Sequence, residues 1–470
     1  MNRLAWLFPG QGSQYPGMGK ELCEQFSSAR EVFEEADDVL GYALGKLCFD
    51  GTAEQLRQTA VTQPAILTAS IAALRVYREE VGTEPAFAAG HSLGEYSALV
   101  SAGVLSFADA LRVVERRGAL MQQTAAAGVG AMCAVIHSTP EAIEQVCMEI
   151  SSPDCCVVIS NYNAPDQTVI SGHRAAVEQA AERLRELGAR TAALPVSAPF
   201  HSPLMAAAAE ELLEVLQACT VHDPNWPVLA NVHGKPYGSK EEIVPLLAKQ
   251  MTAPVRWDLT MAYLADQSVA AAIEFGPRTV LTNLMKANCA HIVCMPLERG
   301  DQLSPLREAL GQAGVSMTNA ASHTAASRQE AASAPASCDN SLASANGGTS
   351  LVIRCLAAAV TTRNRNWDEQ QYRIGVLDPY RRLEELQNRL DETGDPPALE
   401  QMKEALCLLA LIMFTKQVPV SEQQERLTEI LSAAGEHAES LRVVYREAIE
   451  RKAGGEAIDT VIDQGQSLEI

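Results

Sequence analysis

Residues 86–99 read AFAAGHSLGEYSAL, and within them Gly90-His91-Ser92-Leu93-Gly94 fits the pattern G-x-S-x-G. That pattern marks a nucleophile elbow, a sharp strand-to-helix turn that lifts a serine hydroxyl clear of the backbone and needs small residues beside it. A short apolar run precedes Ser92 and helical spacing follows it, with Gly103 placed to end the helix. An elbow generally aims the backbone N–H after its serine at a developing oxyanion, which selects Leu93. An ordinary serine at a helix start is the competing reading, and context decides between them.

A serine nucleophile needs a base. His91 adjoins Ser92, but sequence neighbours on a turn point apart. His201, in LPVSAPFHSPLM, lies where the chain re-enters its main core after an inserted segment. His137, His173, His222 and His233 sit in turn-like or polar surroundings. Asp109, Asp154 and Asp166 fall between Ser92 and His201, where an α/β-hydrolase carries its triad acid, yet their motifs read as surface turns and helix starts.

The elements that must position these groups follow from periodicity. The expected fold class is α/β, a hydrolase-like core with a parallel sheet and a nucleophile elbow, formed by residues 1–127 and 197–314. Residues 128–196 alternate strand, helix, strand, strand, helix, strand, which predicts an inserted ferredoxin-like subdomain. Thr139 is its first helix's N-cap, with Pro140 at the first helical position. Residues 315–350 collapse to an Ala/Ser-rich composition that buries too little apolar surface to order itself and reads as a linker. Residues 351–470 carry apolar residues at three- and four-residue spacing, which predicts an α-helical C-terminal module and a frayed acidic tail.

Composition narrows the partners. The 470-residue chain is 47% hydrophobic, enough for a sizeable core, and its net charge of −21 argues against nucleic acid, which needs a basic face. The apolar run 405–414 is half the length of a membrane span, and the N-terminus lacks a signal-peptide pattern, so the expected setting is cytoplasmic, without membrane. Twelve cysteines show no metal-ligand spacing and read as reduced small hydrophobes.

FPGQGSQ (8–14), TQPAI (62–66), GHSLGEYSAL (90–99), ERRGALM (115–121), NYNAPDQTVISG (161–172), VSAPFHSPLM (196–205) and EFGP (274–277) follow one another in this order. Together they resemble the malonyl-CoA:acyl carrier protein transacylases of fatty acid and polyketide synthesis, over residues 1–314 but not over the last third. The resemblance implies that Ser92 attacks a thioester with His201 as base, the histidine being oriented by the main-chain carbonyl of Gln250 rather than by an acid. It supplies Gln11 as the second oxyanion donor beside Leu93. It makes Arg117 the clamp for the malonyl carboxylate, with Gln63 beside it and Met121 in the same motif. A guanidinium suits that task because it offers two parallel N–H donors. Phe200 matches the malonyl-selecting form of its motif, its ring closing the space of an α-methyl group. Arg278, where the family commonly has a small residue after Gly-Pro, puts that turn in question.

The implied reaction is transfer of malonyl from malonyl-CoA to the phosphopantetheine thiol of an acyl carrier protein through a malonyl-serine, without metal or other cofactor. An editing acyl hydrolase on the same scaffold is the alternative. Carrier proteins are typically acidic, so docking on this chain needs a local basic patch, for which Arg190, Lys235, Arg256 and Lys286 are candidates. Residues 351–470 read as a docking element for a synthase or polyketide partner, or as a stabilising appendage.

Overall fold

The computed structural model describes residues 3–126, 128–194, 196, 198–315, 351–362, 366, 369–393, 397–431 and 437–453. The chain divides into two compact units, Met1–Val39 with Leu44–Gln329, and Leu40–Ala43 with Glu330–Ile470. Apart from Val315, the predicted linker lies outside the described residues, as does the acidic tail.

Among the described residues of the first unit ten strands form: β1 (Arg3–Phe8), β2 (Phe87–Gly90), β3 (Gly130–Ile136), β4 (Val157–Ala164), β5 (Gln167–His173), β6 (Arg190–Ala193), β7 (Val228–Ala230), β8 (Lys235–Pro236), β9 (Val269–Phe275) and β10 (Val293–Leu297). One sheet runs β10-β9-β1-β2-β7-β8 and is parallel except for β8. Its inner strands are near-continuous apolar runs because helices cover both faces; after its exposed Arg3, β1 is buried at every position, as is all of β2. Trp6, Tyr77, Trp226 and Phe275 meet edge to face around β1, with ring centroids 5.0–5.7 Å apart.

Register decides where chemistry can sit. Phe8 pairs with Gly90 and Leu7 with Glu274, so the loops leaving β1, β2 and β9 emerge side by side. That is the carboxyl end of the parallel strands, the usual crevice of an open α/β sheet.

The second sheet is antiparallel, ordered β4-β5-β3-β6, with the helices Pro140–Ile150 and Arg174–Glu186 packed on it. Thr139 caps the first of these, its side chain accepting from the backbone N–H of Ala142, and Pro140 follows it. Backbone bonds tie this sheet to the segment that precedes the helix Trp257–Asp266 of the main core: Tyr162 N–H donates to the Val255 carbonyl, and Val255 N–H to that of Ser160.

In the second unit the helix Leu399–Thr415 is buried from Ala405 to Met413 and packs against Leu351–Thr361, Asp378–Thr393 and Ala438–Ala453. A helix apolar all round is an interior helix, which explains a run that resembled half a membrane span. Among the described residues no helix is long and apolar enough to cross a membrane. The final apolar-periodic stretch forms two helices, Val420–Leu431 and Ala438–Ala453.

Candidate active site

Ser92 stands on the turn between β2 and the helix Gly94–Ser101, with φ 51°. A positive φ at a non-glycine residue is strained, and the surroundings hold it there. A Cβ on Gly90 would fall 1.9 Å from the Gly94 carbonyl, and one on Gly94 would fall 2.0 Å from the Phe8 carbonyl oxygen. Only glycine fits at either place, which is the physical content of the G-x-S-x-G spacing. Asn231, just past β7, pins the turn: its Oδ1 accepts from Ser92 N–H at 2.6 Å and its Nδ2 donates to the Gly90 carbonyl at 2.7 Å.

His201 lies 109 residues further on, yet its Nε2 is 2.8 Å from Ser92 Oγ. Its Nδ1 is 2.8 Å from the main-chain carbonyl of Gln250. A carbonyl can only accept, so Nδ1 carries the proton and Nε2 is left as the acceptor for the serine hydroxyl. Burial, reinforced by the charge of Arg117, lowers the imidazole to about 3 and keeps it neutral. Among the described residues no carboxylate touches His201; Asp109 instead bonds Ser106 and Arg112.

Arg117 is 1% exposed. Its Nη1 donates to Gln63 Oε1 at 2.9 Å; its Nη2 donates to Gln250 Oε1 at 2.9 Å and to Ser92 Oγ at 3.1 Å. The Gln63 amide nitrogen faces Met121 Sδ at 3.1 Å, which turns its oxygen toward the guanidinium. Gly118 makes this possible. A side chain there would meet the Thr59 carbonyl at 2.6 Å, so its absence lets Phe107–Ala126 lie against the helix Thr59–Glu80 that carries Gln63. Among the described residues no carboxylate contacts Arg117, its Nε has no partner, and desolvation lowers its pKa. It is a buried cation held by neutral groups, with a hydrogen bond to spare.

Gln11 lies in the loop after β1. Gly10 carries this loop against the elbow, since a Cβ there would meet the His91 carbonyl oxygen at 2.3 Å. Among the described residues the backbone N–H groups of Gln11 and Leu93 have no hydrogen-bond acceptor. Phe200, next to the base, is 7% exposed. His91 is occupied elsewhere, its Nε2 being 2.9 Å from Asn163 Oδ1. Of the basic-patch candidates, Arg190, Lys235 and Lys286 are exposed, whereas Arg256 is bound by Asp258 at 2.7 Å. The turn at Arg278 forms with φ 66°, its N–H donating to Glu298 at 2.7 Å. Among the described residues no group of three or more His, Cys, Asp or Glu side chains could hold a metal ion.

Sequence reasoning missed Glu95, Tyr237, Asn231 and the side chain of Gln250. Glu95 is 1% exposed and accepts from Tyr237 O–H, from Gln250 Nε2 at 2.7 Å and from Asn231 N–H at 3.2 Å. A glutamate one residue beyond G-x-S-x-G, on a stretch otherwise buried, was the available signal.

A serine on a strained elbow, a neutral imidazole with a fixed tautomer and two free amides are equipped for nucleophilic acyl transfer, and the fold is that of an α/β acyl-transferring enzyme. The family model described as "Acyl transferase domain" matches residues 5–365, and the chain belongs to that family. It is 37% identical over 423 residues to a malonyl CoA-acyl carrier protein transacylase of Bacillus subtilis, covering 90% of this chain and 99% of the relative. It is 44% identical over 287 residues to the transacylase of the same description from Escherichia coli strain K12, covering 61% and 93%. Among solved structures, an acyl carrier protein S-malonyltransferase from Vibrio cholerae superposes with a TM-score of 0.63 at 42% identity, over 65% of this chain and 99% of that one. A malonyl-transacylase in complex with a type II PKS acyl-carrier protein superposes with a TM-score of 0.64 at 42% identity, over 65% and 99%. The Bacillus subtilis match is longer than the resemblance read over residues 1–314: covering 90% of this chain, its alignment extends into the residues that follow.

Proposed function

We infer that the chain transfers malonyl from malonyl-CoA to the phosphopantetheine thiol of an acyl carrier protein, with Ser92 as the residue that carries the acyl group. The carrying observation is Arg117: a buried guanidinium to which, among the described residues, no carboxylate hydrogen-bonds, 3.1 Å from the serine oxygen. A substrate carboxylate is the ligand that such a group lacks, and an acetyl thioester would leave it unpaired.

The steps follow from the hydrogen bonds. Ser92 Oγ gives its proton to His201 Nε2 and attacks the thioester carbonyl, whose oxygen takes up negative charge between the N–H groups of Gln11 and Leu93. Collapse expels the coenzyme A thiolate, which takes the proton from His201. The carrier's thiol then gives its proton to the same nitrogen and attacks the ester, and Ser92 Oγ leaves and recovers the proton. Gln250 keeps Nδ1 protonated throughout. Pairing of the malonyl carboxylate with Arg117 offsets the cationic field on His201, so the correct substrate strengthens the base it needs.

Phe200 beside His201 favours malonyl over methylmalonyl by ~1–3 kcal/mol, the worth of one methyl in such a pocket. The antiparallel sheet β4-β5-β3-β6 with two helices is best described as a ferredoxin-like insertion, a reading supported by its β-α-β-β-α-β order. Arg190, Lys235 and Lys286 are the exposed cations offered to an acidic carrier protein. No cofactor takes part.

Incubation with radiolabelled malonyl-CoA tests this. Label is expected on wild type, chased to carrier thiol faster than to water, and absent from Ser92→Ala. Equal labelling of the alanine variant overturns the assignment, and faster release to water would identify the editing hydrolase instead.

A further inference from the structure

The active-site groups described above share a neighbour that the reaction does not touch. Glu95 follows the elbow and is buried beneath it; its carboxylate can only accept, and it takes hydrogen bonds from Tyr237 O–H, Gln250 Nε2 and Asn231 N–H. This fixes which way the Gln250 amide faces. With Nε2 committed to Glu95 at 2.7 Å and to the Ser92 carbonyl at 3.0 Å, Oε1 must face Arg117 Nη2, which it meets at 2.9 Å. A flipped amide would set NH2 against guanidinium and carbonyl against carboxylate. The main chain of the same Gln250 orients His201, and Asn231, whose N–H bonds Glu95, holds the Ser92 turn with its side chain.

We propose that Glu95 is a positioning residue: its carboxylate sets the orientation of the Gln250 amide and thereby holds Arg117 in register with Ser92, beside the His201 that the Gln250 main chain orients. The proposal rests on the transacylase reading and adds to it a control on the acylation step. A protonated Glu95 can donate, so it no longer dictates the amide's orientation, and the clamp loses its acceptor.

This gives the site a pH dependence of identifiable origin. The charged and titratable groups facing Glu95 are Arg117 on the neighbouring helix Phe107–Ala126, Tyr96 on its own helix and Tyr237 beyond β8. Burial raises Glu95 to about 7, against the opposing pull of its hydrogen bonds and of Arg117. His201 lies at about 3, His91 is pushed down by burial, and Tyr96 is pushed up to about 12. Glu95 is therefore the group of this cluster that changes protonation near neutrality.

The test is the single-turnover rate of Ser92 acylation by malonyl-CoA between pH 5 and 9, which excludes titration of the carrier thiol. Wild type should lose rate about tenfold per pH unit below about pH 7. Glu95→Gln should remove that acid limb and be slower at pH 8 by about 100-fold, the cost of a misplaced catalytic group. Tyr237→Phe removes a donor that favours the carboxylate, so its acid limb should move to higher pH. A wild-type limb retained in Glu95→Gln, or an unmoved limb in Tyr237→Phe, overturns the proposal; if Glu95→Gln fails to fold, the Tyr237 variant decides alone. Wild type that takes no label at any pH would instead overturn the transacylase reading, and this inference with it.

Discussion

Two buried glutamates flank the carboxyl end of the parallel sheet, Glu95 in the helix after β2 and Glu274 on β9. They are 1% and 0% exposed, and burial raises each to about 7. Glu274 accepts from Leu281 N–H at 2.9 Å and from Thr282 N–H and Oγ1 at 2.7 Å, satisfying the first amides of the helix Val280–Asn288. Its partners are 7 and 8 residues away, whereas those of Glu95 are 136–155 residues away, and two of them, Asn231 and Gln250, hold the elbow, the base and the clamp. Desolvation gives both carboxyls the same titration, so a perturbed carboxyl in this molecule indicates function only through what it is connected to.

That contrast breaks most visibly at the group Glu95 serves. Arg117→Ala should lower the preference for malonyl over acetyl thioester by about 10³-fold, because a site built around a buried donor strongly rejects a substrate that leaves it unpaired. The ratio of kcat/KM for the two thioesters measures it; a preference changed less than tenfold would detach Arg117, and the cluster behind it, from specificity. A smaller effect sharpens the same point at Gln250. Gln250→Ala keeps the carbonyl that orients His201 but removes the amide between Glu95 and Arg117. KM for malonyl-CoA should rise about tenfold while acetyl transfer stays within about twofold. Equal losses with both thioesters would mean that the variant damages the base instead.

The same contrast explains what could be read from the chain alone. Ser92, Leu93 and Arg117 sit in short local motifs whose glycines have steric reasons, visible once Gly90, Gly94 and Gly118 are seen against their neighbours. The β-α-β-β-α-β run and the interior helix Leu399–Thr415 follow from hydrophobic period and length. Glu95 stands inside the motif GHSLGEYSAL, but nothing local marks its role, because its partners converge only through the register of β2, β7 and β8. For Gln250 the sequence motif implies a main-chain role alone; its side chain gains meaning from Arg117, 133 residues away. Glu274 carries no such ambiguity, since the donors that hydrogen-bond its carboxylate lie within eight residues of it.

The smallest expected effect is on the Glu274 side. Glu274→Gln keeps one acceptor for the amides of Val280–Asn288 and touches nothing at Ser92, so kcat/KM should remain within about twofold of wild type. Its signature lies in stability. A carboxyl raised to about 7 in the folded state, from about 4.3 in the unfolded chain, binds its proton more tightly when folded. The stability it contributes is fully present below about pH 4.3 and is lost as pH rises through about 7. The advantage of wild type over Glu274→Gln should therefore shrink by about 2–3 kcal/mol between pH 5 and pH 8. Glu95 is present in both proteins, so its own dependence cancels from the difference. Urea unfolding followed by tryptophan fluorescence reads chiefly this unit, which holds three of the chain's four tryptophans, Trp6, Trp226 and Trp257, all buried. A difference that stays constant across that range would mean that Glu274 folds already ionised, and the equivalence of the two carboxyls would be lost.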